Sequence, residues 1–356
     1  MSVDPSSIVL EEDRILNACG NDTDFAFGPD DQQPWQVEAF VNQLSIQIVA
    51  VRENGTELEF DLVGAQAPIV NALRRVLLAE VPTMAIEKVF MYQNTSLIQD
   101  EVLSHRLGLI PICADPRLMR YPSSTLPNDL EVEPDGNARE NIVFELEIDC
   151  VSNPGVSKDV TDPKFRFTNS HVYSKDLKWI PIGDQQEWLH PFPVSVSPDI
   201  LIAVLRPGQQ IELRCHCVKG IGRDHAKFSP VATASYRFLP EIKLKRRVVG
   251  EPAVRLQKCF SPGVIELIHT DQDEFEATVA DARKDTCSRN VFSEADLADA
   301  VLMTRKKNHV IFSVESTGAL SSAELVVEAC KVMENKCQTL LDALEFKKSR
   351  AVNVKS

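Results

Sequence analysis

No apolar run in this chain approaches the roughly 20 residues a helix needs to cross a bilayer. The N-terminus lacks the basic-then-apolar layout of a secretory signal. No Cys-x-x-Cys pair occurs anywhere, so a tetrahedral zinc site is missing its usual spacing. The cysteines number nine, an odd count, and are widely scattered, which reads as free thiols in a reducing compartment. Aromatics make up only 6% of the chain, and no RNP-like or helix-turn-helix pattern appears, against a dedicated nucleic-acid reader. The expected setting is the inside of the cell, where the sequon at Asn94-Thr95-Ser96 carries no glycan.

Positive charge is also scarce. The net charge is −14, so the surface as a whole is unsuited to nucleic acid, although a local basic patch is compatible with it. Much of the excess acid lies in the first forty residues (Glu11, Glu12, Asp13, Asp22, Asp24, Asp30, Asp31, Glu38), against Arg14 alone. That stretch reads as a flexible acidic arm over 1–41, with a short helix near 10–16 and Trp35 anchoring its end. At 356 residues there is length for a large core and for two domains.

What is present centres on 68–111. Pro68 suits a first helical position, and Pro82 stops the pattern after Glu80. At about 100° per residue, Ile69, Val70, Ala72, Leu73, Val76, Leu77 and Ala79 cover half the circumference. The other side carries Asn71, Arg74 and Arg75 with Leu78 among them. A wide apolar stripe with a further apolar residue between arginines implies more than one packing partner.

A hairpin precedes this helix. Leu44, Ile46, Ile48 and Ala50 alternate on one strand and Leu58, Phe60 and Leu62 on the next, around a tight turn at Asn54-Gly55. After the helix come a strand at 85–92, a short helix at 97–108 and a surface loop at 113–140. Further strands are expected at 142–150 and 171–180, and a hairpin pairs 201–205 with 211–218. The middle region therefore reads as a mainly β module inserted after the first helix. Strands over 231–279 contain the basic run Lys243, Lys245, Arg246 and Arg247, which suits a charged strand edge better than a targeting or nucleic-acid patch. A helix capped by Ser293 and Asp296 is expected next.

The C-terminus carries the clearest signals. Val310, Phe312 and Val314 alternate as a strand that Gly318 breaks, and Ser321-Ser322-Ala323-Glu324 forms a capping box with Leu320 and Leu325 as a staple. Val326, Cys330, Met333, Cys337, Leu340 and Leu344 then follow at spacings of four and three, a heptad seam on a helix reaching about Phe346. Periodicity leaves that seam open between core packing and a subunit interface.

No constellation reads as an active site. Cys215-His216-Cys217 alternates along a strand, which would put the cysteines on one face and the histidine on the other. The segment Gly220-Ile221-Gly222-Arg223-Asp224-His225 lacks the strand–turn–helix setting of a dinucleotide loop or nucleophile elbow. His105 and Arg106, beside Leu107, Leu109 and Ile110, suit a structural or interface role better than a general base.

The residues 71–87, NALRRVLLAEVPTMAIE, followed by His105-Arg-Leu-Gly-Leu-Ile-Pro, resemble the α-like subunits of multisubunit RNA polymerases. This is the family of bacterial α, archaeal D and the third subunit of polymerase II. Leu205-Arg-Pro-Gly-Gln, the stretch from Gly220 through GIGRDHAKFSPVATASY, and Phe312-Ser-Val-Glu-Ser-Thr-Gly occur in the same order, so the likeness spans about 42–346. Tyr236 in TASYRFLP, Cys259-Phe-Ser-Pro-Gly-Val-Ile-Glu and Thr83-Met-Ala-Ile-Glu-Lys are similar to the branch shared by eukaryotic polymerases I and III. The zinc-binding cysteines of the polymerase II branch are missing, since no cysteine lies between Cys113 and Cys150.

The resemblance implies an α+β chain with no catalytic residues and no cofactor or metal. A discontinuous dimerisation domain would comprise 42–86 and 228–346, with a β domain at 87–227 inserted and a tail at 347–356. It implies a scaffold in the nucleus and nucleolus that pairs with the smaller α-like subunit through Ile69, Leu73, Val76, Leu77 and the six seam residues. Arg74, Arg75, Leu78, His105 and Arg106 would face the polymerase body, meaning the second-largest catalytic subunit and a small zinc-ribbon subunit. DNA would be met only through the complex. The competing readings are the α-like subunit of another polymerase, a nucleic-acid-binding module using 243–247, and an enzyme using His105, Asp224 and His225.

Overall fold

The computed structural model describes residues 36–123, 136–155, 162–189, 194–269 and 274–353, together with the strand pairs at 9–10 and 15–16. Trp35 and the centre of the expected 113–140 loop lie outside these residues. Near the start, Val9–Leu10 pairs antiparallel with Ile15–Leu16 where a helix was expected. Val9 and Ile15 are β-branched and each is followed by a leucine, which suits paired strands better than helix.

The main elements are α1 (Val37–Gln43), β1 (Ser45–Arg52), β2 (Glu57–Val63), α2 (Ala67–Ala79), β3 (Pro82–Asn94), α3 (Asp100–Gly108) and β4 (Ile142–Asp149). They continue with β5 (His171–Tyr173), β6 (Lys178–Ile180), β7 (Leu201–Val204), β8 (Gln210–Ile221) and β9 (Val231–Leu244). The chain then forms α4 (Glu251–Cys259), β10 (Ile265–His269), β11 (Phe275–Val279), β12 (Val301–Ser316) and α5 (Ser322–Asn353). One four-stranded sheet has the order β9-β12-β2-β1 and a second has β6-β4-β8-β3, with two-stranded pairs β5-β7 and β10-β11. The mixed α+β class expected from sequence is what forms.

The chain divides into two compact units. The first comprises Met1–Val49, Glu59–Asn71 and Tyr236–Phe312; the second comprises Ala50–Leu58, Ala72–Ser235 and Ser313–Ser356. In the first, Ile242, Leu256, Val264, Ile265, Val291 and Val301 are among the buried residues of a core around α4 and β10. Phe60 and Phe312 stack with centroids 5.2 Å apart, and Tyr236 lies 6.2 Å from Phe312. Asp61 on β2 receives both a bidentate Arg283 Nη1 contact at 2.7 and 2.9 Å and His309 Nε2 at 2.7 Å. The second unit's core is larger. It buries Ile86, Leu103, Leu107, Phe144, Leu146, Ile211, Leu213, Cys215 and Cys217 along β3, α3, β4 and β8. Burying each such side chain contributes roughly 1.5–3 kcal/mol.

Several local expectations give way. Residues 171–180 form two strands, because the 3-10 turn Ser174–Asp176 breaks them and sends β5 to β7 and β6 to β4. The hairpin expected between 201–205 and 211–218 is therefore absent: β8 pairs with β3 and β4 instead. The helix expected from Ser293 is replaced by 3-10 turns at Asn290–Ser293 and Ala298–Ala300. Its capping carboxylate, Asp296, is drawn off to Arg255 at 2.5 Å, and Arg255 also reaches Glu294 at 3.1 Å. Within the run read as strands, α4 appears, with Pro252 in its first turn and Ala253 and Leu256 buried.

Candidate subunit interface

The terminal helix begins as its sequence dictates. Ser321 donates its hydroxyl to Glu324 Oε2 at 2.8 Å and accepts the Glu324 N–H at 3.3 Å, while the Ser321 N–H reaches Glu324 Oε2 at 3.1 Å. The Ser321 hydrogen bond is the main reason the Glu324 carboxyl sits below its usual range. Leu320 and Leu325, the staple positions, are both buried. Arg117 adds an ion pair to Glu324 at 3.3 Å, and the Glu324 carboxylate suits the positive end of the helix dipole.

Past that start, the helix turns outward. Its buried stripe is Ser322, Leu325 and Ala329; Val326 and Met333 are half-buried, and every residue from 334 to 348 is exposed. Leu340 keeps 66% of its surface and Leu344 55%, while Cys330 and Cys337 are exposed as well. The helix runs to Asn353, beyond the Phe346 expected, because Lys347, Lys348, Arg350 and Ala351 favour helix and no glycine or proline intervenes. At 1.5 Å per residue its 32 residues span about 48 Å. Leu341 and Phe346 are exposed beside the seam, at 54% and 61%. A strict four-three count passed over them.

On α2 the division runs otherwise. Val70, Leu73, Val76 and Leu77 are buried within the chain itself, and Ile69 stays 38% exposed. Arg75 is exposed, whereas Arg74 and Leu78 are half-buried. The end of α2 is met closely by 220–223. A Cβ on Gly222 would stand 2.3 Å from the Leu78 carbonyl oxygen, and the Arg223 N–H donates to Ala79 O at 2.8 Å. The two glycines of that segment thus answer a packing demand, Gly220 lying against the Phe228 ring. His225 Nδ1 accepts the Lys227 N–H at 3.1 Å and caps a 3-10 turn.

His105 and Arg106 lie exposed in the last turn of α3. Arg106 already has partners in the chain: Nε donates to Ile202 O at 3.2 Å and Nη2 to Leu201 O at 2.8 Å, fastening α3 to β7. A second apolar surface escaped the sequence reading. Val37, Val41, Ile46, Ile48 and Val49 of α1 and β1 are 48–67% exposed, and β1 stands last in its sheet order. Alternation marked β1 as half-buried, and only tertiary structure reveals both faces open.

The remaining polar motifs of the sequence serve the fold. Burial pushes the Cys215 thiol up to about 12 and raises that of Cys217, so both act as core-filling groups in β8. His216 is also buried, edge-on to Phe90 at 4.8 Å, and does not reach an open face. The basic run begins at the end of the outermost strand β9 and continues past it: Lys243 pairs with Glu241 at 3.0 Å and Arg247 holds Glu276 by two bonds of 2.7 and 2.5 Å. Among the described residues no helix is long and apolar enough to cross a membrane.

The RNA polymerase Rpb3/Rpb11 dimerisation domain model matches residues 59–337, most of the chain. The chain belongs to that family. It is 48% identical over 344 residues to the human DNA-directed RNA polymerases I and III subunit RPAC1, covering 96% of this chain and 95% of that one. To the Saccharomyces cerevisiae protein of the same description it is 45% identical over 338 residues, 94% and 98% of the two chains. The Dictyostelium discoideum RNA polymerase II subunit rpb3 is 29% identical over 306 residues, 84% of this chain and 94% of its own. The family match thus takes in α2 and α5 through Cys337.

Proposed function

We propose that this chain is a non-catalytic scaffold subunit of the nuclear RNA polymerases I and III. The observation that carries the reading is the terminal helix, which leaves its own core at Met333 with Leu340 and Leu344 in solvent, in a chain of a dimerisation family. An apolar seam of that kind gains stability only when a second helix covers it. The occupant is the smaller α-like subunit. It contacts Ile69, Val326, Cys330, Met333, Cys337, Leu340 and Leu344, while Leu73, Val76 and Leu77 support α2 from beneath.

In this reading the dimerisation domain comprises 42–86 and 228–346, the inserted domain 87–227, the acidic arm 1–41 and the tail 347–356. Arg74, Arg75, Leu78, His105 and Arg106 face the second-largest catalytic subunit and the small zinc-ribbon subunit. The heterodimer seeds assembly of polymerases that transcribe ribosomal, transfer and 5S RNA, in the nucleus and its nucleolus. The higher identity to the relatives named for polymerases I and III, 48% and 45% against 29%, supports this over polymerase II.

Affinity purification of the tagged full chain, with mass spectrometry of what accompanies it, tests the assignment. Large subunits of both polymerases I and III should be recovered with one smaller α-like chain. Recovery of polymerase II subunits alone, or of none, would overturn it.

A further inference from the structure

The inserted region holds a groove that the scaffold role leaves unused. A cavity of about 370 Å³ is lined by residues that include Ile148, Lys164, Phe167, His171, Tyr173 and Lys175. Pockets that hold small molecules begin at roughly 300 Å³, so this one has the size for a base or two and not for a folded domain. His171 and Tyr173 lie two apart on β5 and present their rings together, with centroids 6.3 Å apart and planes 19° from parallel. Lys175 Nζ stands 5.4 Å from the Tyr173 ring. Phe167 is flanked by two guanidinium groups, Arg166 at 5.5 Å and Arg206 at 6.0 Å. Phe165, between Lys164 and Arg166 in the chain, is 66% exposed.

The groove is also ordered. The buried Ser170 hydroxyl fixes the His171 ring at Nδ1, 2.9 Å away. The neighbouring carboxylates are committed to backbone donors: Asp176 accepts the Tyr173 N–H at 2.8 Å and Asp162 the Lys164 N–H at 3.0 Å. Their charge is thereby partly spent, and Lys164, Arg166, Lys175 and Arg206 remain exposed around the rings.

We propose that this groove binds single-stranded nucleic acid, with Phe165, Phe167, His171 and Tyr173 stacking on bases and Lys164, Arg166, Lys175 and Arg206 taking phosphates. Alternating rings and cations are the composition of sequence-tolerant single-strand sites. Duplex bases are closed to such rings. An acidic peptide would use the cations and leave the stacked rings without a role. RNA and DNA share the chemistry, and the 2′-hydroxyl is what separates them.

The test is fluorescence anisotropy of labelled oligouridylate and oligothymidylate, each about 12 nucleotides, with the full chain at low salt. Both strands should bind, and tighter RNA binding would assign a contact to the 2′-hydroxyl. The double variant Lys164→Glu, Arg166→Glu should lose affinity about tenfold or more. Its salt slope should fall by about 1.4, from roughly 0.7 per phosphate contact. Phe165→Ala should lose about fivefold or more with the slope unchanged. Unchanged melting by circular dichroism shows that each variant folds, and Lys243→Glu, Lys245→Glu should bind as the parent does. Absent binding at low salt, binding that survives the groove variants, or loss only in the 243 and 245 variant would overturn the proposal. Displacement by oligoglutamate as effective as by unlabelled strand would give the groove to acidic peptides and likewise overturn it.

Discussion

Lys336 Nζ lies 2.7 and 2.8 Å from the two carboxylate oxygens of Glu80, so the terminal helix is tied to the residue just beyond α2. The tie sits about one turn past Met333, where the helix parts from its core. Both side chains keep solvent contact, 56% and 29%, which limits what the pair is worth. A double-mutant cycle of Lys336→Ala and Glu80→Ala should give a coupling of about 0.2–1 kcal/mol, smaller at high salt. Denaturant titration at two ionic strengths reads it. A salt-independent coupling would mean that the pair is desolvated.

Asp61 should govern part of the acid sensitivity of the first unit. Burial opposes its ionisation, yet the hydrogen bonds and charges of His309 and Arg283 outweigh that and hold its carboxyl below the usual range. A carboxyl with a lowered folded-state pKa contributes stability in full above its unfolded value near 4. That contribution is lost as pH falls through the folded value. Asp61→Asn should cost about 1–3 kcal/mol at neutral pH, since it strips a charged partner from Arg283 and His309. It should also flatten the fall in stability below about pH 4. Melting temperatures from pH 2 to 7 test both effects, and an unchanged acid limb would assign the sensitivity to other carboxylates.

The close approach at Gly222 gives a sharper prediction. Its added Cβ would meet backbone, the Leu78 carbonyl oxygen at 2.3 Å and Ala79 Cα at 3.2 Å, so no side chain can simply swing away. Gly222→Ala should therefore destabilise by about 1–3 kcal/mol, as overpacking does. Gly155→Ala, whose nearest neighbour is the Asn153 side chain at 3.5 Å, should stay within about 0.5 kcal/mol of the parent. Equal melting of the two variants would show that 220–223 can move off α2.

Local chemistry made much of this legible in advance. Asn54 and Gly55 do take positive φ in the first turn, and the Ser321 box starts α5 where its hydroxyl and Glu324 lie three apart. Partner choice was not legible. The turn at Arg206-Pro207-Gly208-Gln209 forms, with the Gln209 N–H donating to Arg206 O at 2.9 Å, yet the strands on either side join different ladders. Alternation says that a segment is extended and which side chains share a face; it does not say which strand will lie beside it. The helix expected at Ser293 failed for a similar reason, because Arg255 lies far away in sequence and claims Glu294 and Asp296. On α5, periodicity marks the apolar positions but does not tell covered from open turns, because Leu325 and Leu340 are the same residue type. Only the packed neighbours distinguish them.

That distinction makes the seam separable from the fold. Leu340 and Leu344 are 66% and 55% exposed, so replacing both with Ala should leave the chain's own melting within about 1 kcal/mol. Covered by a partner helix, each leucine contributes roughly 1.5–3 kcal/mol, so the double variant should weaken heterodimer formation by at least a hundredfold. Reversing Arg75, exposed on α2, to Glu should spare that dimer and impair recruitment of the large catalytic subunit. Quantitative co-purification with the smaller α-like subunit and the second-largest subunit reads the two steps separately. A dimer that survives the leucine variant would remove the seam from the interface. Loss of the dimer with Arg75→Glu would move that arginine from the polymerase body to the pairing surface.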